Sequence, residues 1–554
     1  MAPTSTPRMQ LFHLLVTDDI DPEGVELLRA DDQFVINEQP TRPWKDLVDE
    51  IGQYDAFIGR SATRLPAELL KHASKLRVIG RAGVGIDNID IAAATELGIA
   101  VINAPAGNTV AVAELFFGML IAQVRHLARA FESMRAGRWD RGSLTGSELR
   151  GRTLGIVGLG RIGSEVAVRA HAFGMKLVGY DPYIPDERFE LLRVERATSL
   201  DQLLGRVDVL TVHTPITDET RGLIGAAELA ELKPGAIVAN LARGGIIEEA
   251  ALVAALKSGR LGGALIDVYG QEPAVADHPL RAIDDALLTP HLGASTAEGQ
   301  RNVAVDVCIA VRDALKSGEL SGAVNVDGTF GASWTEYRDA ILLARRAAAV
   351  ARALLADRQA RAVDHVTLRV GRDLADGVGM LVAAAAMGVL EGVIEGERLN
   401  LVNAKARAEA RGIALAAMTA VGPDPVHGVQ VTVRSGGREV CVGGVASPGG
   451  TPRLTRIDSF SVDVAPRRTL IVLGNADVPG VIGRVGTLLG EAGVNIAEYH
   501  QARLTQGGEA LAAITVDGPP DARLRQRLLA LPDVRSATVV NFGDTEHGRE
   551  PAWS

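Results

Sequence analysis

Cysteine is scarce in this sequence, since only Cys308 and Cys441 occur among 554 residues. Two cysteines so far apart exclude a disulfide framework and a thiolate metal cage, and we expect no metal site. Such low cysteine usage is typical of a reducing compartment, so we predict a cytoplasmic protein.

Aromatic residues and long apolar runs are also few. Aromatics make up 4% of the chain, so the cores are expected to consist mainly of Ala, Val, Leu and Ile. The best candidate for a membrane span, residues 377–390, is shorter than the ~20 residues required. We predict a buried alanine-rich helix there instead. The first ten residues contain no apolar signal core. We therefore expect a soluble protein without a membrane partner.

Positive charge is not in excess. Lys and Arg number 58 against 68 Asp and Glu, which gives a formal net charge of −10. This acidic balance provides no general attraction to nucleic acid, so no such partner is expected. Glycine is abundant, however, with 61 residues, well above the usual ~7%. The excess indicates many tight turns and close backbone approaches.

The pattern of apolar residues predicts two α/β units followed by two further modules. Short apolar strands alternate with helices over residues 11–102, which favours a doubly wound parallel sheet. A long helix is predicted over 110–134, and a second α/β series begins at Thr153.

The composition shifts near Val324. An Ala- and Arg-rich helical segment and then alternating strands predict an α+β module over residues 326–465. From Arg468 the predicted order is β-α-β-β-α-β, which is the ferredoxin-like arrangement. The polar tail after Phe542 is expected to be frayed.

A glycine-rich turn marks a dinucleotide site. Gly158-Leu-Gly160-Arg161-Ile162-Gly163 lies between the strand 153–157 and the helix that begins at Ser164. Gly158 permits the tight turn, Gly160 lets the backbone approach a pyrophosphate, and Gly163 lets helix and strand pack closely. Asp181 ends the next strand. It follows Gly163 at the ~20-residue spacing that is typical of a ribose-binding carboxylate, so we predict NAD rather than NADP.

Three further strand ends carry an arginine, a carboxylate and a histidine. They are Asn240-Leu-Ala-Arg243, Asp267-Val-Tyr-Gly-Gln-Glu272 and Thr289-Pro-His291. Arg243 can bind a substrate carboxylate through two parallel bonds. His291 can take a hydroxyl proton, and Glu272 can orient its ring. His213 is an alternative base, but we favour it as a residue lining the cofactor pocket.

Together these motifs resemble the D-isomer-specific 2-hydroxyacid dehydrogenases. The matching segments are Gly-Leu-Gly-Arg-Ile-Gly, Val-His-Thr-Pro, Ala-Arg-Gly-Gly, the Asp…Glu-Pro pair and Pro-His-Leu-Gly-Ala-Ser-Thr. The resemblance implies that Arg243 binds substrate, Glu272 supports the base and His291 is the acid/base residue. The residues expected to bind NAD are Gly158, Gly160, Arg161, Ile162, Gly163, Asp181, His213, Thr214, Pro215, Ala242, Asp267 and Gly293.

Within that family, three segments are similar to the members that oxidise 3-phosphoglycerate to 3-phosphohydroxypyruvate in serine biosynthesis. These segments begin at Gly59, Gly80 and Ala106. The resemblance implies that Arg60, Ser61, Arg81 and Asn108 contact the phosphorylated substrate. It also implies that Arg141 reaches the site from a partner subunit of a homo-oligomer, a dimer or a tetramer.

The sequence is also compatible with other roles for these residues. The arginines could simply be solvated surface residues. The catalytic residues would also suit a hydroxypyruvate/glyoxylate or D-lactate type of reductase, and a non-catalytic NAD-sensing scaffold can retain them.

The C-terminal module resembles an ACT domain, on the turn Asp477-Val-Pro-Gly480 and on Gly493-Val-Asn495. In the similar enzymes the effector is L-serine. We expect Asp477 to meet its ammonium group, and Asn495 with the turn amides near Gly480 to hold its carboxylate. A purely structural role in dimerisation is the alternative.

The segment before it, 326–465, resembles the allosteric substrate-binding domain of the longest family members, on Asn400-Leu-Val-Asn403-Ala404 and Ala410-Arg-Gly-Ile413. Its basic residues Lys405, Arg407 and Arg411 could hold an anion, although a solvated helix face is favoured. The predicted fold is thus α/β, with a flavodoxin-like substrate domain and a Rossmann NAD domain, followed by an α+β domain and a ferredoxin-like ACT domain. The predicted boundaries are 1–107 with 292–325, 108–291, 326–465 and 466–545, with a tail over 546–554.

Overall fold

The computed structural model describes residues 10–320, 322–326, 334–360, 362–394, 398–420, 425–518, 521 and 523–543. The predicted frayed tail lies outside these residues, apart from residue 543. The chain divides into two compact units. One comprises residues 104–306, and the other comprises the described residues before and after that range.

The first unit begins with a five-stranded parallel sheet in the order β2-β1-β3-β4-β5. Its strands and helices are β1 Phe12–Val16, α1 Pro22–Arg29, β2 Phe34–Glu38, β3 Ala56–Gly59, α2 Ala67–Leu70, β4 Val78–Arg81, α3 Ile91–Glu96 and β5 Ala100–Asn103. The predicted doubly wound sheet is confirmed. The sequence prediction of this sheet lacks the edge strand β2. Its apolar run is only Phe34-Val35-Ile36 and is followed by the polar Asn37 and Glu38, and only Phe34 is buried.

The second unit opens with two helices, α4 Thr109–Val124 and α5 Leu127–Arg135. The prediction of one long helix over 110–134 is therefore wrong. His126 has left-handed backbone angles at the break, and the helices are bent by 64°. The Ser147 amide donates to the Val124 carbonyl. This crossing segment takes a carbonyl that a continuing helix would have used.

A seven-stranded parallel sheet forms the rest of this unit, in the order β12-β11-β10-β9-β6-β7-β8. Its elements are β6 Thr153–Val157, α6 Arg161–Ala172, β7 Lys176–Tyr180, α7 Asp186–Leu192, β8 Glu195–Arg196, α8 Leu200–Leu204, β9 Val209–Val212, α9 Ala226–Glu231, β10 Ala236–Asn240, α10 Glu249–Lys257, β11 Leu261–Ile266 and β12 Ala286–Leu288. The central strands β9 and β10 are buried along their whole length, as expected of a sheet covered on both faces.

The long helix α11 Ala297–Ser317 crosses the boundary between the two units. After it comes a mixed six-stranded sheet with helices, in the order β14-β13-β15-β16-β17-β18. Its elements are α12 Trp334–Asp357, β13 His365–Val370, α13 Val378–Leu390, α14 Ala404–Ala410, β14 Ala414–Thr419, β15 Gly428–Ser435, β16 Arg438–Val445, β17 Arg453–Ile457 and β18 Phe460–Val464. The predicted alanine-rich helix is α13, and most of it is buried.

The C-terminal module has four antiparallel strands in the order β20-β21-β19-β22. Its elements are β19 Thr469–Ala476, α15 Val481–Glu491, β20 Ile496–Arg503, β21 Glu509–Val516, α16 Leu524–Leu529 and β22 Val534–Asn541. The predicted β-α-β-β-α-β order is confirmed. Five short 3₁₀ turns complete the described structure, at Trp44–Leu47, Ile51–Gln53, Arg141–Ser143, Pro279–Ala282 and Arg372–Leu374.

Within the described ranges, no single helix is long and apolar enough to cross a membrane. Among the described helices, only the pair α4 and α5 taken together reaches the required length and composition, and the two are separated by the 64° bend.

Candidate active site

The glycine turn between β6 and α6 has the geometry of a dinucleotide cradle. Gly158 has φ +89°, which favours glycine. A Cβ on Gly163 would lie 2.0 Å from the Gly158 carbonyl oxygen, so helix and turn approach too closely for any side chain. A Cβ on Gly160 would meet open space, and this glycine is the N-cap of the twelve-residue α6. Unpaired amides of the first helical turn are thus available to a diphosphate.

Asp181 stands beside this turn, at the end of β7. Its Oδ2 accepts a hydrogen bond from the Leu159 amide at 2.9 Å, and its Oδ1 accepts one from the Tyr183 amide at 3.0 Å. Since β7 is the neighbour of β6, the carboxylate reaches the glycine turn directly. This is the position at which a ribose carboxylate favours NAD.

His213 and Thr214 form the opposite side of the turn. A Cβ on Gly158 would lie 2.7 Å from the His213 carbonyl oxygen and 2.9 Å from Thr214 Cγ2. His213 Nδ1 and Thr214 Oγ1 are buried and have no hydrogen-bond partner among the described residues. Buried polar atoms are normally bonded, so these two atoms fit a bound polar group such as NAD.

The His213 ring is unsuited to general-base chemistry. Burial lowers its pKa to about 4, and Nε2 lies 3.0 Å from Thr211 Oγ1. The ring is therefore neutral near pH 7 and too weakly basic to hold a proton. This favours the pocket-lining role over the catalytic alternative.

Arg243 lies on the loop after β10. The Asn240 side chain holds this loop, since its Nδ2 donates to the Arg243 carbonyl at 2.9 Å and its Oδ1 accepts from the Ala242 amide at 3.1 Å. A Cβ on Gly244 would lie 1.9 Å from the Tyr269 carbonyl oxygen. Glycine at 244 therefore allows the Arg243 loop to touch the loop that carries Glu272.

Glu272 and His291 are hydrogen-bonded to each other. His291 Nδ1 lies 2.6 Å from Glu272 Oε2, and Glu272 Oε1 accepts from the Tyr269 amide at 3.0 Å. Burial raises the pKa of the Glu272 carboxyl, but the bonds from His291 and Tyr269 and the charges of His291 and Arg243 outweigh burial and hold that pKa below its ordinary value. Glu272 is thus an anion beside the imidazole, with Nε2 as the nitrogen that can take a proton.

Asp267 supports the His291 loop from below. The carboxylate is fully buried. It accepts hydrogen bonds from Thr289 Oγ1 at 2.6 Å, the Leu292 amide at 2.7 Å and the Gly293 amide at 2.8 Å. Pro215 lies on the loop after β9, and Ala242 lies on the loop after β10. The sequence did not single out Tyr269 or Thr289. The Tyr269 amide reaches Glu272 within one loop, whereas Thr289 reaches Asp267 because β11 and β12 are adjacent.

The predicted substrate residues fall in both units. Arg60, Ser61 and Arg81 follow or end strands of the first unit, whereas Asn108 and Arg141 belong to the second. Asn108 is buried at the start of α4, and its Oδ1 has no partner among the described residues. Arg141 is exposed, at the start of a 3₁₀ turn.

The structure separates the predicted effector residues Asp477 and Asn495. Asp477 follows the end of β19 and accepts from the Gly507 amide, whereas Asn495 precedes β20 and donates to Asp517 at 2.7 Å. The strand register puts these two places at opposite ends of the sheet, about 25 Å apart at ~3.3 Å per residue. Inside one domain, therefore, they do not form one pocket, and Gly480 lies at the Asp477 end.

Comparison with known proteins agrees with this geometry. Residues 117–293 match the D-isomer specific 2-hydroxyacid dehydrogenase NAD-binding domain, and residues 468–533 match the ACT domain. The chain is 38% identical over 533 residues to the D-3-phosphoglycerate dehydrogenase of Synechocystis, covering 96% of this chain and 94% of that protein. It is 36% identical to the Bacillus subtilis enzyme of the same name, covering 96% and 100%.

Among solved structures, a glyoxylate reductase from Paecilomyes thermophila is similar over 58% of this chain and 99% of its own, with 34% identity and a TM-score of 0.53. The chain therefore belongs to the D-3-phosphoglycerate dehydrogenases, NAD-dependent oxidoreductases of the D-isomer specific 2-hydroxyacid dehydrogenase family.

Proposed function

We propose that this chain oxidises D-3-phosphoglycerate to 3-phosphohydroxypyruvate with NAD, the committed step towards L-serine. The observation that carries the proposal is the 2.6 Å Glu272–His291 pair on the strand ends next to Arg243, in a chain that covers nearly the whole length of relatives named for this activity.

Each catalytic residue has a distinct task in this reaction. Arg243 binds the substrate carboxylate and orients C2. His291 takes the C2 hydroxyl proton on Nε2 while C2 loses its hydrogen as hydride, and Glu272 stabilises the imidazolium that forms. NAD, held by the glycine turn, Asp181 and the His213–Thr214 segment, supplies the hydride acceptor. The products are the 2-oxo acid, NADH and one proton.

The substrate residues are proposed on the resemblance. Arg60, Ser61, Arg81 and Asn108 would bind the phosphate and the rest of the three-carbon acid. A reductase for unphosphorylated hydroxypyruvate, glyoxylate or D-lactate would not require the two cations Arg60 and Arg81.

Steady-state assays test the proposal directly. NADH formation should be measured with 3-phosphoglycerate, glycerate and D-lactate, in the presence of a trap for the oxo acid. We expect kcat/KM to be highest for 3-phosphoglycerate by a factor of about 100 or more. Equal or better turnover of an unphosphorylated acid would favour the reductase alternative. NAD binding without turnover of any of them would favour a sensing scaffold.

We propose a homo-oligomer in which a second copy covers the exposed face around α5. Phe131, Met134 and Trp139 have exposed fractions of 67%, 58% and 77%, and Arg141 lies two residues beyond Trp139. Large exposed apolar side chains that are close together in the chain favour an interface at this face. Phe131→Glu with Trp139→Glu should lower the mass in solution, measured by light scattering, whereas Tyr183→Glu, at another exposed aromatic side chain, should leave it unchanged.

We also propose that L-serine inhibits the enzyme through the ACT domain. Because Asp477 and Asn495 lie at opposite ends of one sheet, a single serine can meet both only where two copies of the domain meet. Asp477→Ala and Asn495→Ala should each raise the serine concentration for half inhibition by at least tenfold. Unchanged inhibition in both variants would contradict this effector site.

A further inference from the structure

Two side chains without a role so far hold the loop that carries Arg60 and Ser61. This loop, residues 60–63, follows β3. Asp18 follows β1, and Asn88 follows β4. Since β3 lies between β1 and β4 in a parallel sheet, the carboxyl ends of all three strands meet at the same edge, and the side chains approach the loop from its two sides.

The Asp18 carboxylate accepts hydrogen bonds from the backbone amides and the Thr63 hydroxyl of the loop. Its Oδ2 accepts from the Arg60 amide at 2.8 Å and from the Thr63 amide at 3.0 Å, and its Oδ1 accepts from Thr63 Oγ1 at 2.6 Å. Thr41 Oγ1 donates a fourth hydrogen bond to Oδ1, at 2.8 Å, from outside the loop. The carboxylate is buried, so each of these bonds replaces water that the group has lost.

The Asn88 side-chain amide donates hydrogen bonds to the backbone carbonyls of the same loop. Its Nδ2 donates to the Arg60 carbonyl at 2.9 Å and to the Thr63 carbonyl at 2.7 Å. The backbone continues the connection, because the Leu65 amide donates to the Asn88 carbonyl at 2.8 Å. Both the amide and the carbonyl of each end residue of the loop are therefore bonded to one of these two side chains or the other.

The middle of the loop is left open. Ser61 and Ala62 are exposed, whereas Thr63 is fully buried. A short loop fixed at both ends presents its tip in one geometry, and positioning of this kind strongly affects how a bound substrate is held.

We propose that Asp18 and Asn88 are positioning residues that set the orientation of Arg60 and Ser61 towards a phosphorylated three-carbon acid. This inference rests on the proposed function, because it assigns the loop to substrate phosphate. Asp18 and Asn88 act through the loop backbone and do not themselves touch the reacting atoms.

The backbone at Asp18 makes a clean test possible. Asp18 has φ +65°, in the left-handed region that aspartate and asparagine tolerate better than other side chains. Asp18→Asn therefore keeps the backbone and the shape but replaces one acceptor oxygen with a donor, which opposes the loop amides. Thr41→Ala is the matched control, because it removes a hydrogen bond from the same carboxylate without touching the loop.

The experiment compares the full-length wild type with D18N, N88A, T41A, R60A and the double variant D18N/R60A. We expect D18N and N88A to raise the KM for 3-phosphoglycerate at least tenfold while kcat and the KM for NAD stay within about threefold. T41A should have the same kcat and the same KM values as the wild type. D18N should add less than threefold to the KM of R60A, because both changes act on the same side chain.

Hydrogen exchange of the same variants, measured by mass spectrometry, reports how firmly the loop amides are bonded in the absence of substrate. Peptides that contain residues 60–63 should exchange at least tenfold faster in D18N and N88A than in the wild type or T41A. Equal exchange in D18N and T41A would overturn the inference, as would full additivity of D18N and R60A. A wild type that holds the loop but does not turn over 3-phosphoglycerate would overturn the proposed function and its substrate assignment, while leaving the two clamping contacts established.

Discussion

At the scale of single residues, the catalytic chemistry depends on the contact between Glu272 and His291. The bond at 2.6 Å orients the ring, and the lowered pKa of Glu272 keeps the partner anionic throughout the neutral range. The imidazole therefore gains a proton next to a fixed negative charge, which is how a general base is supported in a partly exposed site.

Substitution of His291 or Glu272 should strongly reduce the rate of the reaction. We expect His291→Asn to reduce kcat at least 10³-fold, since it removes the proton acceptor. Glu272→Gln should reduce kcat by about 10- to 100-fold, because the imidazolium that forms in the reaction loses its anionic partner. A Glu272→Gln variant with the kcat of the wild type would show that the carboxylate does not support the base.

His213 makes a separate prediction about acid stability. Its pKa is about 4 in the folded protein and about 6.5 in an unfolded chain. Its contribution to stability is therefore complete above pH 6.5 and is lost as the pH falls from 6.5 towards 4, because only the unfolded chain binds the proton there. Between pH 7 and pH 5, the free energy of unfolding measured with urea should fall by about 2 kcal/mol less for His213→Gln than for the wild type. An equal loss in both proteins would contradict a buried neutral imidazole.

At the scale of elements, the site is made by three neighbouring strands, β10, β11 and β12, whose following loops carry Arg243, Glu272 and His291 in turn. The loops are held by buried polar side chains, Asn240 under the first and Asp267 under the third. The catalytic side chains can remain partly exposed to substrate because the groups that position them are buried.

The substitution Gly244→Ala tests how closely the Arg243 loop must approach the loop that carries Glu272. Its Cβ would lie 1.9 Å from the Tyr269 carbonyl oxygen, so Gly244→Ala must move the Arg243 loop away from Glu272. We expect kcat/KM to fall by about 100-fold, as displacements near 1 Å at a catalytic group do. Gly205→Ala is the control, since its Cβ meets open space and its backbone is helical. Equal activity in the two variants would show that the loop contact is not required.

At the scale of the whole molecule, the domain over residues 334–464 is fastened to the first sheet by buried asparagines. Asn400 Nδ2 donates to the Gly98 carbonyl at 2.8 Å, and Asn403 Nδ2 donates to the Glu96 carbonyl at 3.3 Å. Both side chains are fully buried. Gly98 has φ +69°, and a Cβ there would meet both amide groups within 3 Å.

Asn400→Ala should destabilise this docking by about 2–3 kcal/mol, because the Gly98 carbonyl would remain buried without its donor. Thermal unfolding should show the first transition lowered by several degrees, with faster hydrogen exchange at residues 96–103. Arg411→Ala, at an exposed position beyond α14, should change neither. An unchanged transition in Asn400→Ala would mean that apolar packing alone fastens the two parts.

Much of this molecule could be predicted because its signals are local. The glycine turn, the strand-end residues Arg243, Glu272 and His291, and the β-α-β-β-α-β order each occupy one stretch of chain. Features that depend on distant segments were missed or wrong. The break at His126 follows from a segment that packs against the end of α4, and the separation of Asp477 from Asn495 follows from strand register.

By itself the sequence determined the two doubly wound sheets, the NAD turn and the residue types of the site, since hydrophobic period and glycine placement act over short distances. Only the tertiary structure decided which side chains hold those residues in place. Asp267 beneath His291 and the Asp18–Asn88 clamp on the Arg60 loop arise where parallel strands remote in sequence end side by side. Hydrogen bonds over 2.6–3.0 Å are a property of that adjacency, which no local pattern encodes.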